Sequence, residues 1–155
     1  MSEERAVAAL RAAGIPFEMT RHDAVGSLAE AAAARGVEPG RLIKTLVVRR
    51  GEGDYLFVLV PGDRQISWPK LRALLGVSRI SMPSKEVAFE VTGYERGTIT
   101  PFGALHRWPV VADSRLSEPG PVSIGGGAHG VGATVDAVDL TTVLDATVAD
   151  VTDPL

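Results

Sequence analysis

The chain has 155 residues, 45% of them hydrophobic and 23% charged, with a formal net charge of −3 at pH 7. That length can bury a core without covalent staples, and the acidic balance excludes a protein that coats nucleic acid by broad phosphate neutralisation. The sequence contains no cysteine, which removes disulfides, thiolate metal sites and cysteine nucleophiles from consideration.

Glu3 to Ala13 carries apolar residues at Val7, Leu10 and Ala13, a helical spacing that Gly14 ends. This stretch is charged and alanine-rich and lacks the apolar run of a signal peptide. No later run is long enough to span a membrane. A cytoplasmic protein with no membrane partner is expected. Ile15 to Thr20 reads as a short strand. Ser27-Leu28-Ala29-Glu30 is a capping-box pattern before an alanine run that Gly36 ends. Arg41 to Arg50 and Tyr55 to Val60 are rich in branched and aromatic residues, and Gly51 to Asp54 is a turn signal, so these segments predict an antiparallel hairpin. Ser67 and Ser84 are placed to cap helices running through Leu75 and Val91. Strands are predicted at Trp108–Asp113, Val122–Ile124 and Ala133–Val135. Asp136 and Asp139 begin a last helix, Val138 to Ala146, and Val148 to Val151 returns as an edge strand. The irregular alternation predicts one α/β (α+β) domain over residues 1–155, built around a mixed sheet.

Three segments depart from the pattern of an ordinary core. Lys44 lies in the strand Leu42-Ile43-Lys44-Thr45-Leu46-Val47-Val48 and shares a face with Leu42, Leu46 and Val48. An ammonium there needs a partner or a route to water. It is either a snorkelling stem or a fixed cation at a pocket floor. The turn Gly93 to Gly103, with Gly97 at its middle, is expected to bare Thr98, Thr100 and several main-chain N–H groups in one short stretch. It is either an irregular loop or a set of donors arranged before charge develops on a substrate. Gly125-Gly126-Gly127-Ala128-His129-Gly130 formally contains G-x-G-x-x-G, but a strand follows where the dinucleotide fingerprint needs a helix. It is either a tight hairpin turn or a backbone nest that lets a ligand approach the main chain.

His22, His106 and His129 have no metal-ligand spacing, so no metal and no cofactor is expected. No serine sits in a nucleophile elbow, and no carboxylate pair stands out. His129, inside the glycine cluster, is a candidate substrate contact.

In order and spacing these three segments resemble the YbaK/ProX family of aminoacyl-tRNA editing deacylases. The resemblance implies a compact domain with a central, mostly antiparallel, barrel-like mixed sheet flanked by helices. It implies hydrolysis of the ester of a mischarged tRNA carrying a small amino acid, with the acceptor end of tRNA as partner. Prolyl-tRNA synthetase is a further partner that it implies, and DNA is not one. On this resemblance Lys44 grips the substrate and the backbone at Gly97 meets the ester carbonyl. Thr45, Thr98, Ile99, Gly125, Gly126, Gly127, His129 and Gly130 form the substrate site. Cysteine-specific members carry a serine and an aspartate where this chain has Gly125 and Gly132, and a tyrosine near Thr20; these changes set this chain apart from that specificity. An aminoacyl ester is already reactive, so placed donors and a water or ribose hydroxyl suffice without a nucleophilic side chain. A binding module for the tRNA end or a nucleotide, without turnover, is the alternative.

Overall fold

The computed structural model describes residues 2–155. Most of its α-helices begin where a side-chain oxygen accepts from an orphan backbone N–H. α1 (Ser2–Ala13) stops at Gly14. α2 (Leu28–Ala34) is capped as the sequence predicts: Ser27 Oγ accepts from the Glu30 N–H at 3.1 Å, and the Glu30 carboxylate reaches back to the Gly26 N–H at 3.1 Å. Ser67 and Ser84 cap α3 (Trp68–Leu75) and α4 (Lys85–Thr92). Both helices end on a left-handed glycine, Gly76 and Gly93, at φ of 67° and 80°. Asp136 caps α5 (Ala137–Val143), which is shorter than its sequence pattern because Asp145 turns to a φ of 50°.

The strands are β1 (Glu18–Arg21), β2 (Ile43–Gly51), β3 (Asp54–Pro61), β4 (Arg64–Ile66), β5 (Val110–Asp113), β6 (Pro121–Gly125), β7 (Val131–Asp136), β8 (Thr147–Ala149) and β9 (Thr152–Pro154). Most pairings are antiparallel, as expected, but the strands divide into three sheets and close no barrel. One sheet runs β1-β7-β6, a second β2-β3-β5-β8, and the third pairs β4 with β9. β2 and β3 are the predicted hairpin. β5 joins β3 in parallel, and β8 joins β5 in parallel as an edge. β1 starts later than its composition suggests, because its partner register runs from Glu18 opposite Thr134 to Arg21 opposite Val131.

β3 is buried on both faces. Tyr55, Phe57 and Leu59 pack into a core with α1, β6, β7 and α5; Leu56, Val58 and Val60 pack into another with Leu71 and Val151. Alternation along β3 therefore holds two cores on one strand. Asp113, fully buried, ties β5 to the chain end by accepting from the Val151 N–H and from Thr152 Oγ1 at 2.8 Å.

Candidate functional site

The first and second sheets meet through one parallel bridge, Leu42 to Ser123. Beyond it β2 has no strand partner on that side among the described residues until Arg49, which exchanges both main-chain hydrogen bonds with Ser81 (2.7 and 3.1 Å). Arg49 thus turns its backbone away from β3. Strand alternation then aims the N–H and C=O of Val47 and Thr45 along the same free edge. A cavity of about 300 Å³ occupies this gap. Its wall includes six consecutive residues, Leu42 through Val47, together with Arg35, Met82, Pro83, Ala88, Arg96, Gly97, Ile99 and Gly125. Six residues in a row can line one cavity because a strand presents its edge there, not a face. A larger depression of about 880 Å³, lined partly by α1, Phe102 and Trp108, holds none of the predicted residues.

The structure brings five predicted residues onto this cavity: Lys44, Thr45, Gly97, Ile99 and Gly125. Lys44 is half-buried and donates to the Arg64 carbonyl at 2.8 Å. Burial pulls its pKa below the usual lysine value of 10.5, and the Asp63 carboxylate partly opposes that shift. Two of its three ammonium donors remain without a protein acceptor among the described residues. The Thr45 hydroxyl is buried and has no hydrogen-bond partner among the described residues. Gly97 sits at a φ of 90°, a conformation that favours glycine. Its exposed N–H meets no acceptor among the described residues.

The other predicted residues lie apart from the cavity wall. Thr98 is buried, and its hydroxyl donates to the Glu95 carbonyl at 2.7 Å. The Gly126 and Gly127 amides are already used, donating to the Val131 carbonyl at 3.0 Å and the Thr98 carbonyl at 3.1 Å. Gly130 carries its chain against the His22 main chain, whose N–H donates to the Gly130 carbonyl at 2.9 Å. His129 is exposed, 3.3 Å from a Glu95 carboxylate oxygen. Its ring lies 3.7 Å from where a side chain on Gly97 would begin, so it stands over the loop at the cavity rim.

Arg35, Arg96, Met82 and Pro83 were not singled out by sequence reasoning. Arg35 is the C-cap of α2, where a cation is ordinary, and arginine is common in this chain. No local signal marks it as a pocket residue.

The positions that depart from the cysteine-specific pattern fall in one row. Thr20 of β1 lies opposite Gly132 of β7, which lies opposite Gly125 of β6. Gly125 is pinched: a β-carbon there would lie 2.6 Å from the Ile99 carbonyl oxygen. A serine at this position would displace main chain, so its absence is built into the packing.

The architecture is thus an α/β domain with a ligand-sized cleft at a split between two sheets, walled by a strand edge and supplied with cations. The model of the aminoacyl-tRNA editing domain matches residues 22–143. A proline–tRNA ligase of Thermosipho melanesiensis is 32% identical over 109 residues, which cover 70% of this chain and 19% of the ligase. The chain therefore spans about a fifth of that relative's length. The multifunctional Ser/Thr-tRNA deacylase ProXp-y of Escherichia coli K12 is 29% identical over 121 residues, covering 76% of this chain and 72% of that protein. A crystal structure described as a proposed trans-editing enzyme for prolyl tRNA synthetase superposes with a TM-score of 0.89 at 28% identity, covering 98% of this chain and 97% of that one. The chain belongs to the aminoacyl-tRNA editing domain family. No helix among the described residues is long and apolar enough to cross a membrane.

Proposed function

We propose that this chain, as one editing domain, hydrolyses the ester of a tRNA carrying a wrong, small amino acid, with the acceptor end of tRNA for proline as a substrate and prolyl-tRNA synthetase as a partner. The observation that carries this reading is that Lys44, whose ammonium is only partly satisfied by the Arg64 carbonyl, and Gly97, whose amide is unspent, both line one cavity. Lys44, with donors to spare, grips the substrate. The Gly97 N–H polarises the ester carbonyl, where a donor fixed beforehand stabilises the developing oxyanion at no cost in reorganisation. The free edge at Thr45 and the Thr45 hydroxyl, unpartnered among the described residues, offer further polar contacts in a mainly apolar chamber. Thr98, Gly126, Gly127 and Gly130 support the site by shaping its loops, and His129 covers the rim.

A chamber of about 300 Å³ lies at the small end of ligand pockets, which suits exclusion of larger acyl groups by size. Apolar contact alone separates substrates by only about 1–3 kcal/mol per methylene. The test is deacylation of Ala-, Cys-, Ser- and Thr-charged tRNA by wild type and Lys44→Ala. Cleavage above the spontaneous rate, reduced on the order of 100-fold in the variant, is expected. Tight binding of tRNA with no cleavage of any member of the panel would replace the enzyme with a binding module.

A further inference from the structure

We infer that Arg35 is a second ligand-binding cation of this cavity and that it holds the phosphodiester joining the last two nucleotides of the RNA end. The inference rests on the deacylase reading for the identity of the RNA. Its geometry stands on the described residues. Arg35 lines the same cavity as Lys44 and Gly97. Its guanidinium stem lies directly over Gly132: a β-carbon at that position would come within 2.9 Å of both Cδ and Nε, and 3.1 Å of Cζ. A side chain on residue 132 would thus compete with Arg35 for this space. Gly132 of β7 makes room for the arginine.

The arginine is aimed by a neutral partner. His22 Nδ1 lies 2.8 Å from the Asp23 carbonyl oxygen, which only accepts, so Nδ1 carries the proton. Nε2 is then an acceptor, and Arg35 Nε donates to it at 3.2 Å. This bond uses one of five guanidinium donors. Neither Nη has an acceptor among the described residues, and Arg35 forms no ion pair with a carboxylate there. Burial alone pulls its pKa down. A half-buried guanidinium with a free pair of Nη groups matches the two oxygens of a phosphodiester, which it can take as a fork. An α-ammonium would be repelled, so the acyl group belongs toward Gly97 and the phosphodiester toward Arg35.

The probe is the dinucleotide CpA, whose phosphodiester keeps its charge throughout the working pH range. Calorimetric titration compares CpA, adenosine and inorganic phosphate on wild type, Arg35→Met and Arg35→Lys. Arg35→Met should weaken CpA on the order of 10- to 100-fold, the span of one or two charge-assisted hydrogen bonds. Adenosine affinity should stay within about twofold. Arg35→Lys, which keeps the charge and loses the fork, should fall between wild type and Arg35→Met. A folded Arg35→Met that binds CpA as wild type does overturns the inference. If that variant does not fold, Arg35→Lys decides, and CpA affinity equal to wild type overturns it. Inorganic phosphate binding as tightly as CpA overturns the assignment to the nucleotide. Wild type that cleaves charged tRNA while Arg35→Met loses neither cleavage nor CpA affinity refutes Arg35 alone. Wild type that cleaves no charged tRNA but binds CpA through Arg35 refutes the deacylase reading alone.

Discussion

The two glycine-rich turns look alike in sequence and differ in kind. In the turn from Gly93 to Gly103, Gly97 presents a free amide to solvent beside the cavity, and a β-carbon added to it would touch nothing closer than a His129 carbon at 3.7 Å. In the turn from Gly125 to Gly130, the amides of Gly126 and Gly127 are spent within the fold. A β-carbon on Gly127 would meet the Ser2 carbonyl oxygen at 2.8 Å and the Tyr94 ring at 3.1 Å. One glycine leaves main chain bare; the others let main chain approach main chain. Glycine content alone does not distinguish them. What distinguishes them is whether the freed space is filled by protein.

Substitutions sharpen this contrast. Gly127→Ala should cost about 2–5 kcal/mol, from left-handed strain together with overlap in a packed region. In a thermal melt that is a fall of roughly 5–15 °C for a chain of this size. Gly97→Ala meets the strain without the overlap, so its melting point should fall by less. Its deacylation kcat/KM should fall about 100-fold as the loop rotates its amide out of line. Equal melting losses, or undiminished turnover in Gly97→Ala, would break the contrast.

The smallest expected effect separates two lysines. Titration of the lysine side chains by NMR should place the Lys44 midpoint below 10.5, because it is half-buried, and the Lys70 midpoint above 10.5, because Asp150 and Asp153 surround it. For Lys44 the unfolded state binds more protons between the two midpoints, so stability rises with pH across that window. For Lys70 the stabilisation is complete below 10.5 and is lost as pH rises through the raised midpoint. A Lys44 midpoint at 10.5 would mean that its ammonium is fully solvated, and one above 10.5 that pairing with Asp63 outweighs burial.

Local chemistry made much of the fold legible. Ser27, Ser67 and Ser84 each announce a helix, and the first of them does so through a reciprocal Glu30 contact that the sequence spells out. The β2–β3 hairpin is equally plain, since both strands and their turn lie in one stretch. Pairings between distant segments were hidden. β4 and β9 have three residues each, one of them proline, and hold their register through contacts such as Arg64 Nε to Thr152 Oγ1 at 2.7 Å. No periodicity is visible in so short a run. At the site, Lys44 showed itself as a charge on an apolar strand, whereas Arg35 sits at a helix end where any cation is unremarkable. It reaches the cavity because Gly132, almost a hundred positions away, leaves it space.

The unpaired border of β2 has an evolutionary corollary. Donors and acceptors that belong to the polypeptide itself survive any replacement of the groups attached to it except by proline. Exchanges at Thr45 or Val47 therefore resculpt the cavity wall while its hydrogen-bonding register persists. A wall of this type can change shape in single steps, each intermediate still presenting the same main-chain donors and acceptors.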